Sequence, residues 1–132
     1  MLIPEARVAF LGDLFWHTSL PNTIDATISA WIETLNRFST DYANYTFVSG
    51  HGAIGTASDV GAFRDYLVTL MKNVQESRSR LSAAPAGAVV EGMPSFAKYS
   101  QWGNFRGFLG PNLRDAEAES AGTKKNPQPV AR

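Results

Sequence analysis

The chain has 132 residues, of which 44% are hydrophobic and 18% are charged, proportions typical of a soluble globular chain. Twelve basic and twelve acidic residues cancel, which argues against the basic surface that a non-specific nucleic-acid binder needs. The absence of cysteine excludes a disulfide scaffold, a cysteine-ligated zinc site and a cysteine nucleophile. No apolar run approaches about 18 residues and no signal peptide is visible, so we expect no membrane partner and a cytoplasmic location by default.

Two strand-like runs and one helical stripe make up the first third of the chain. Residues 7–11 predict a strand that ends at Gly12, followed by an aromatic-rich loop over residues 13–21. Apolar side chains then recur with helical spacing, and Asn22 or Thr23 is placed to cap that helix. Residues 45–49 predict a second strand. The helical stripe consists of Ile24, Ile28, Trp31, Ile32, Leu35 and Phe38.

The rest of the chain predicts helices. Thr56 and Asp59 have capping-box spacing before a long helix, whose apolar stripe runs from residue 60 to residue 81. Shorter helical pieces broken by glycines follow, with a last helix over residues 112–119. We therefore expect a main unit over residues 1–82, a helical C-terminal extension over 83–119 and a disordered tail over 120–132, in which Lys124 and Lys125 are solvated.

A strand, a helix and a second strand within about 45 residues form a βαβ unit, whose two strands are parallel. The carboxyl ends of parallel strands lie at the same edge of the sheet, where open α/β sheets bind ligands. Asp13 and His51 directly follow the two predicted strands. We therefore expect their side chains to lie side by side at that edge.

These two residues each have an ordinary alternative. Asp13 alone is more simply a polar turn residue, and His51 alone is a histidine in a tight glycine-flanked loop. Because both follow strands of one βαβ unit, a shared metal site is the better interpretation. His17 is an accessory candidate for ligation or substrate contact, although packing against Phe15 and Trp16 explains it better.

Other chemistries have weak signals. Residues 50–55 match the G-x-G-x-x-G spacing, but no acidic residue follows at the distance that ribose binding requires. The chain has no G-x-S-x-G nucleophile elbow. The three tryptophans are candidates for lining a substrate pocket, with core packing favoured for Trp31.

A set of motifs resembles the C-terminal half of the metallo-β-lactamase fold superfamily. The set comprises Phe10-Leu11-Gly12-Asp13-Leu14-Phe15, a later Pro21, the helix around Trp31, Phe47-Val48-Ser49-Gly50-His51-Gly52 and Arg64-Asp65-Tyr66-Leu67. The resemblance covers about residues 8–74. Ser49 stands where the family usually has proline.

The resemblance implies part of an αββα sandwich with one or two metal ions, usually zinc, at one sheet edge. It implies that Asp13 bridges the two metals and that His51 is the last histidine ligand, on the second metal. Members of the family use the metals to form hydroxide from bound water and to polarise a scissile carbonyl or phosphoryl group.

The family's main ligand motif, H-x-H-x-D-H, does not occur in this sequence, whose histidines are His17 and His51. Since a catalytic zinc needs about three protein ligands, we expect a truncated hydrolase with its N-terminal half absent, inactive alone and weak in zinc binding. An alternative is a non-catalytic or split-enzyme subunit that completes a site with a partner carrying H-x-H-x-D-H. Either form would expose a sheet face that favours the complementary half or self-association.

Overall fold

A computed structural model describes residues 1–78 and 94–125 of the chain. Its elements in chain order are strand β1 (Leu2–Ile3), strand β2 (Val8–Trp16), helix α1 (Ile28–Asp41), strand β3 (Thr46–His51), helix α2 (Ala57–Arg78) and helix α3 (Phe105–Ser120). Short 3₁₀ helices cover Pro4–Ala6 and Pro94–Tyr99. The protein is therefore of the mixed α/β class. Among the described residues, no helix is long and apolar enough to cross a membrane.

The three strands form one sheet in the order β1-β2-β3. β1 is antiparallel to β2, and β2 is parallel to β3 with Val8 opposite Thr46 and Phe10 opposite Val48. The parallel pair with α1 between its strands confirms the predicted βαβ unit.

The helices pack on one face of this sheet. Ala9, Leu11 and Phe15 of β2 and Phe47 of β3 point into that side and are buried. The stripe predicted for α2 is confirmed, since its described members are buried or packed against the core. Helix α3 and the second 3₁₀ helix join the same core. The helical contributors that are buried are Ile28, Leu35, Val60, Phe63, Tyr66, Leu67, Leu70, Val74, Phe96, Tyr99, Leu109 and Ala116.

The opposite face of the sheet carries no helix among the described residues. Phe10 alternates with buried Ala9 and Leu11 and is 40% exposed on this face. The same face carries Val48, which is paired with Phe10, Val8, which lies two positions earlier on β2, and Ile3, which is paired with Val8; all three are half-buried. We call this set of four apolar side chains the open sheet face.

The first strand is longer than predicted. Residues 13–16 were expected in a loop, but β2 continues to Trp16. The ladder shifts register on both sides of Gly12, which has φ +55°, so the strand bends there and then continues. It continues because Trp16 pairs with His51 at the end of β3.

The start predicted for α1 is also wrong: the helix begins at Ile28 rather than near residue 24. Asn22 Oδ1 accepts a hydrogen bond from the Ile24 amide, and the Thr23 hydroxyl is bound by side chains of α3. Neither residue can therefore cap α1. A carboxylate from α3 does so instead, since Glu119 accepts hydrogen bonds from the Ile28 and Ser29 amides at 2.6 and 3.0 Å.

The C-terminal region differs from prediction in two respects. One helix, α3, runs through Gly107 and Gly110, where breaks were expected, and also through Pro111. Leu109, Asn112 and Ala116 are buried on one side of α3. Their burial outweighs the low helix propensity of Gly107, Gly110 and Pro111. Lys124 is half-buried rather than fully solvated, because its ammonium donates hydrogen bonds to the carbonyl oxygens of Thr23 and Ala26. Residues 79–93 and 126–132, which include Leu81, Met93 and most of the predicted tail, lie outside the described residues.

Candidate functional site

The structure brings Asp13 and His51 together at the predicted edge of the sheet. His51 Nε2 lies 3.3 Å from Asp13 Oδ1. The Asp13 side chain is 77% exposed and the His51 side chain is 51% exposed, so both are accessible to solvent. Two residues 38 positions apart in sequence thus form one polar pair, as the parallel β2–β3 pairing requires.

The Gly-His-Gly sequence is explained by close backbone approach. A Cβ atom on Gly50 would contact the Asp13 carboxylate and lie 2.6 Å from the Gly12 carbonyl carbon. Gly52 has φ +93°, and a Cβ atom there would contact the carbonyl oxygen of His17. Glycine at both positions lets the end of β3 lie close against the end of β2.

The pair suits zinc in chemistry and in spacing. Imidazole nitrogen and carboxylate oxygen are both common zinc ligands, and two ligands at about 2.0–2.1 Å from one tetrahedral zinc lie about 3.3–3.4 Å apart. The distance between the His51 and Asp13 atoms matches that separation. The number of ligands does not suffice, because residues 1–78 and 94–125 hold no group of three or more His, Cys, Asp or Glu side chains placed to share a metal.

Trp16 contacts both members of the pair. Its indole ring stacks on the His51 ring with centroids 3.7 Å apart and an angle of 24° between the ring planes. Its Nε1–H donates a hydrogen bond to the Asp13 carbonyl oxygen at 3.1 Å. From the sequence, Trp16 was a candidate for lining a pocket. The stack on His51 was not predicted, because it depends on the extension of β2 to Trp16.

His17 lies apart from this pair in its side-chain contacts. Its ring packs on Phe15, with centroids 5.6 Å apart, as the packing interpretation expected. Nδ1 lies 3.0 Å from the Ala53 carbonyl oxygen, and Nε2 lies 3.5 Å from Asp59 Oδ1. Because both ring nitrogens face protein oxygens, His17 joins the β2 strand exit to the start of α2.

Asp59 completes the predicted capping arrangement at the start of α2. Its carboxylate accepts hydrogen bonds from the Thr56 amide and hydroxyl at 2.7 and 2.8 Å. The hydrogen bond from the Thr56 amide lowers the pKa of Asp59, with further lowering by the Thr56 hydroxyl and His17, while burial opposes the shift. Asp59 is therefore a charged cap that also anchors His17.

An open cleft of about 660 Å³ begins at Asp13 and runs along α1. Trp16, Leu14 and Trp31 line it, together with the segment from Asn22 to Thr27. Trp31 donates a hydrogen bond from its indole nitrogen to the Leu14 carbonyl oxygen at 2.8 Å and packs edge-on against Phe63. Two of the three tryptophans thus border the cleft, whereas Trp102 packs with Tyr66 and Tyr99.

Comparison with protein-family models finds no matching family, and comparison with curated proteins finds no match. The resemblance to the metallo-β-lactamase superfamily therefore depends on the motifs quoted above.

Proposed function

We propose that this chain contributes Asp13 and His51 to the zinc site of a metallo-β-lactamase-type hydrolase and is inactive alone. The observation that supports the proposal best is the 3.3 Å contact between His51 Nε2 and Asp13 Oδ1, with both side chains exposed and Asp13 lining a cleft. The proposal assigns the remaining ligands to a polypeptide segment that carries H-x-H-x-D-H.

Each residue has a defined task in such a site. Asp13 supplies a carboxylate oxygen at the edge of the cleft, and His51 supplies an imidazole nitrogen 3.3 Å from it. Zinc held there would supply hydroxide from bound water and polarise the scissile group. Leu14, Trp16 and Trp31 give the cleft an apolar wall that can exclude water from one side of a substrate.

Zinc binding to the purified chain tests the assignment. Isothermal titration with Zn²⁺ should detect weak binding that Asp13→Asn and His51→Asn each reduce. The matched control is Asp25→Asn, which removes another carboxylate from the rim of the cleft without touching the pair. Equal zinc affinity in the wild type and both site variants would contradict the assignment.

Hydrolysis tests the incompleteness of the site. The chain alone should not cleave a nitrophenyl ester or a β-lactam in a zinc-dependent manner. Addition of a polypeptide carrying H-x-H-x-D-H should restore cleavage, and Asp13→Asn should abolish the restored activity. Zinc-dependent cleavage by the chain alone would show that the two described ligands suffice.

A second candidate function is assembly through the open sheet face. Phe10 is 40% exposed in the middle of that face, flanked by half-buried Val8 and Val48. Because an apolar strand surface of this kind favours association, the face suits a complementary half or a second copy of the chain.

Sedimentation velocity over a range of concentrations measures that association. Phe10→Thr keeps β-propensity while removing the aromatic ring, so it should lower the average mass at high concentration. Ile54→Thr is the control, because Ile54 is also exposed but lies in the loop after β3. If the two variants associate as the wild type does, the open sheet face is not the contact surface.

A further inference from the structure

Trp16 belongs to none of the ligand positions in the proposed site, yet it contacts both of them. The indole ring covers one face of the His51 imidazole at a centroid distance of 3.7 Å. The indole nitrogen is hydrogen bonded to the backbone of Asp13, which fixes the ring relative to the other candidate ligand. The strand ladder also pairs Trp16 directly with His51.

The free His51 side chain would have wide conformational freedom. It is half exposed, and glycines on both sides leave its backbone without side-chain neighbours in the chain. The stack on Trp16 limits the ring to one plane, and in that plane Nε2 faces Asp13 Oδ1. Groups that orient a ligating histidine commonly change metal affinity by about 10–100-fold when they are removed.

We infer that Trp16 is a positioning residue, which holds the His51 imidazole so that Nε2 faces Asp13 and the pair is arranged for a metal ion. This inference goes beyond the proposed function in naming the group that orients the ligand, and it rests on that function for the identity of the metal. Trp16 acts through stacking and through the Asp13 carbonyl, without contributing a ligand atom.

Proton NMR of the whole chain tests the orientation without any metal. The chain has two histidines, so the imidazole carbon-bound protons give two sets of signals, and His51→Asn identifies which set belongs to His51. The ring current of Trp16 should shift the His51 signals upfield in the wild type. Trp16→Leu should return them towards the values of a free histidine, Trp16→Phe should give an intermediate shift, and the His17 signals should not move.

A Zn²⁺ titration followed on the same signals tests the role towards metal. Trp16→Leu should weaken the zinc response of His51 by about tenfold. Trp16→Phe should recover part of the affinity, because phenylalanine can still stack. Val68→Ala is the control, since Val68 is exposed on α2, does not line the cleft and should leave zinc affinity unchanged. Urea unfolding of each variant separates loss of orientation from loss of folding.

The outcomes separate the two proposals. If zinc moves neither histidine in the wild type, the zinc assignment fails, whereas the ring-current comparison still decides whether Trp16 orients His51. If zinc moves His51 equally in the wild type and in Trp16→Leu, the positioning role is overturned and the zinc assignment stands. Absence of an upfield His51 shift in the wild type also overturns the positioning role.

Discussion

Two polar clusters of this molecule differ in burial and in the number of hydrogen bonds that they make. The first, which we call the buried polar cluster, joins Thr23, Tyr66, Asn112 and Asp115 beneath α3. The second is the exposed pair of Asp13 and His51. In the buried polar cluster each side chain is bonded to another side chain of the same chain. The exposed pair makes one contact between its carboxylate and imidazole and presents its other polar atoms to solvent.

The buried polar cluster is closed by hydrogen bonds. Asn112 is 1% exposed, and its amide nitrogen donates to the Pro21 carbonyl oxygen and the Tyr66 hydroxyl, both at 2.9 Å. The Thr23 hydroxyl lies 2.9 Å from Asn112 Oδ1 and 2.7 Å from Asp115 Oδ2. Burial raises the pKa of Tyr66, so its hydroxyl stays protonated at neutral pH. This cluster holds α3, α2 and the segment before α1 together, so we expect it to contribute to stability, whereas ligand binding is what we propose for the exposed pair.

The substitution with the largest expected effect on stability removes a side chain from the buried polar cluster. Asn112→Ala leaves the Tyr66 hydroxyl and the Pro21 carbonyl without the Asn112 amide and opens a cavity, while the Thr23 hydroxyl keeps only its bond to Asp115. We expect a loss of about 3 kcal/mol in the free energy of unfolding. Urea unfolding followed by circular dichroism measures it.

Asn36→Ala is the matched control for that experiment. Asn36 is exposed on α1, where its side chain accepts a hydrogen bond from Arg64, and the change should stay within about 0.5 kcal/mol. Similar losses in the two variants would show that closure of the buried polar cluster contributes little to stability.

The second-largest expected effect breaks the close packing of β3 against β2 beside the exposed pair. Gly50→Ala places a methyl group against the Gly12 carbonyl carbon and the Asp13 carboxylate, so β2 and β3 must separate locally. We expect a loss of about 2 kcal/mol in the free energy of unfolding, measured by urea unfolding. The control is Gly107→Ala on α3, where a Cβ atom would meet nothing within 4 Å, and which should stabilise by about 0.5–1 kcal/mol. If Gly50→Ala leaves the free energy of unfolding unchanged, the ends of β2 and β3 are not in close contact.

The exposed pair could be predicted from sequence because it depends on local signals. Two short apolar runs, each followed by glycine and a polar residue, with one amphipathic helix between them, sufficed to place Asp13 beside His51. The parallel pairing of Val8 with Thr46 confirms the predicted βαβ unit. The hydrophobic stripe of α2 could be read in the same way, since its period is a local property.

The buried polar cluster could not be predicted, because it joins residues as far apart as Thr23 and Asp115. The same cause explains the wrong helix start, since Glu119 caps α1 across about 90 residues and no local pattern announces such a contact. The course of α3 through Pro111 likewise depends on where the core lies. The stacking of Trp16 on His51 was missed because strand pairing, rather than spacing, brings the two residues together.

A smaller effect concerns this long-range cap and its pH dependence. Burial raises the pKa of Glu119, but hydrogen bonds from the Ser29 amide and hydroxyl and from the Ile28 amide outweigh it, with help from Lys124, so the net shift is downward. A carboxyl with a lowered folded-state pKa stabilises the protein above its ordinary value of 4.5, and the stabilisation is lost as pH falls through the folded-state pKa.

Glu119→Ala should therefore cost about 1 kcal/mol at neutral pH, the usual value of a helix cap. The difference from the wild type should shrink as the pH is lowered below about 4.5. Urea unfolding at pH 7 and at acidic pH measures both quantities. Glu117→Ala, on an exposed position of the same helix, should show neither effect. A difference that is constant with pH would indicate that the charge of Glu119 plays no part in the cap.

The smallest expected effect on stability comes from changing the exposed pair. Its size tests whether the pair, unlike the buried polar cluster, contributes little to stability. Asp13→Asn removes one charge from a side chain that is 77% exposed, and exposed ion pairs contribute about 0–1 kcal/mol. We expect the free energy of unfolding to change by less than about 0.5 kcal/mol in the absence of metal. Addition of Zn²⁺ should raise the urea midpoint of the wild type and leave that of Asp13→Asn nearly unchanged, because a ligand stabilises the folded state only through sites that bind it. A loss approaching that of Asn112→Ala would place Asp13 among the structural residues, and the assignment of the pair to ligand binding would then lose its basis.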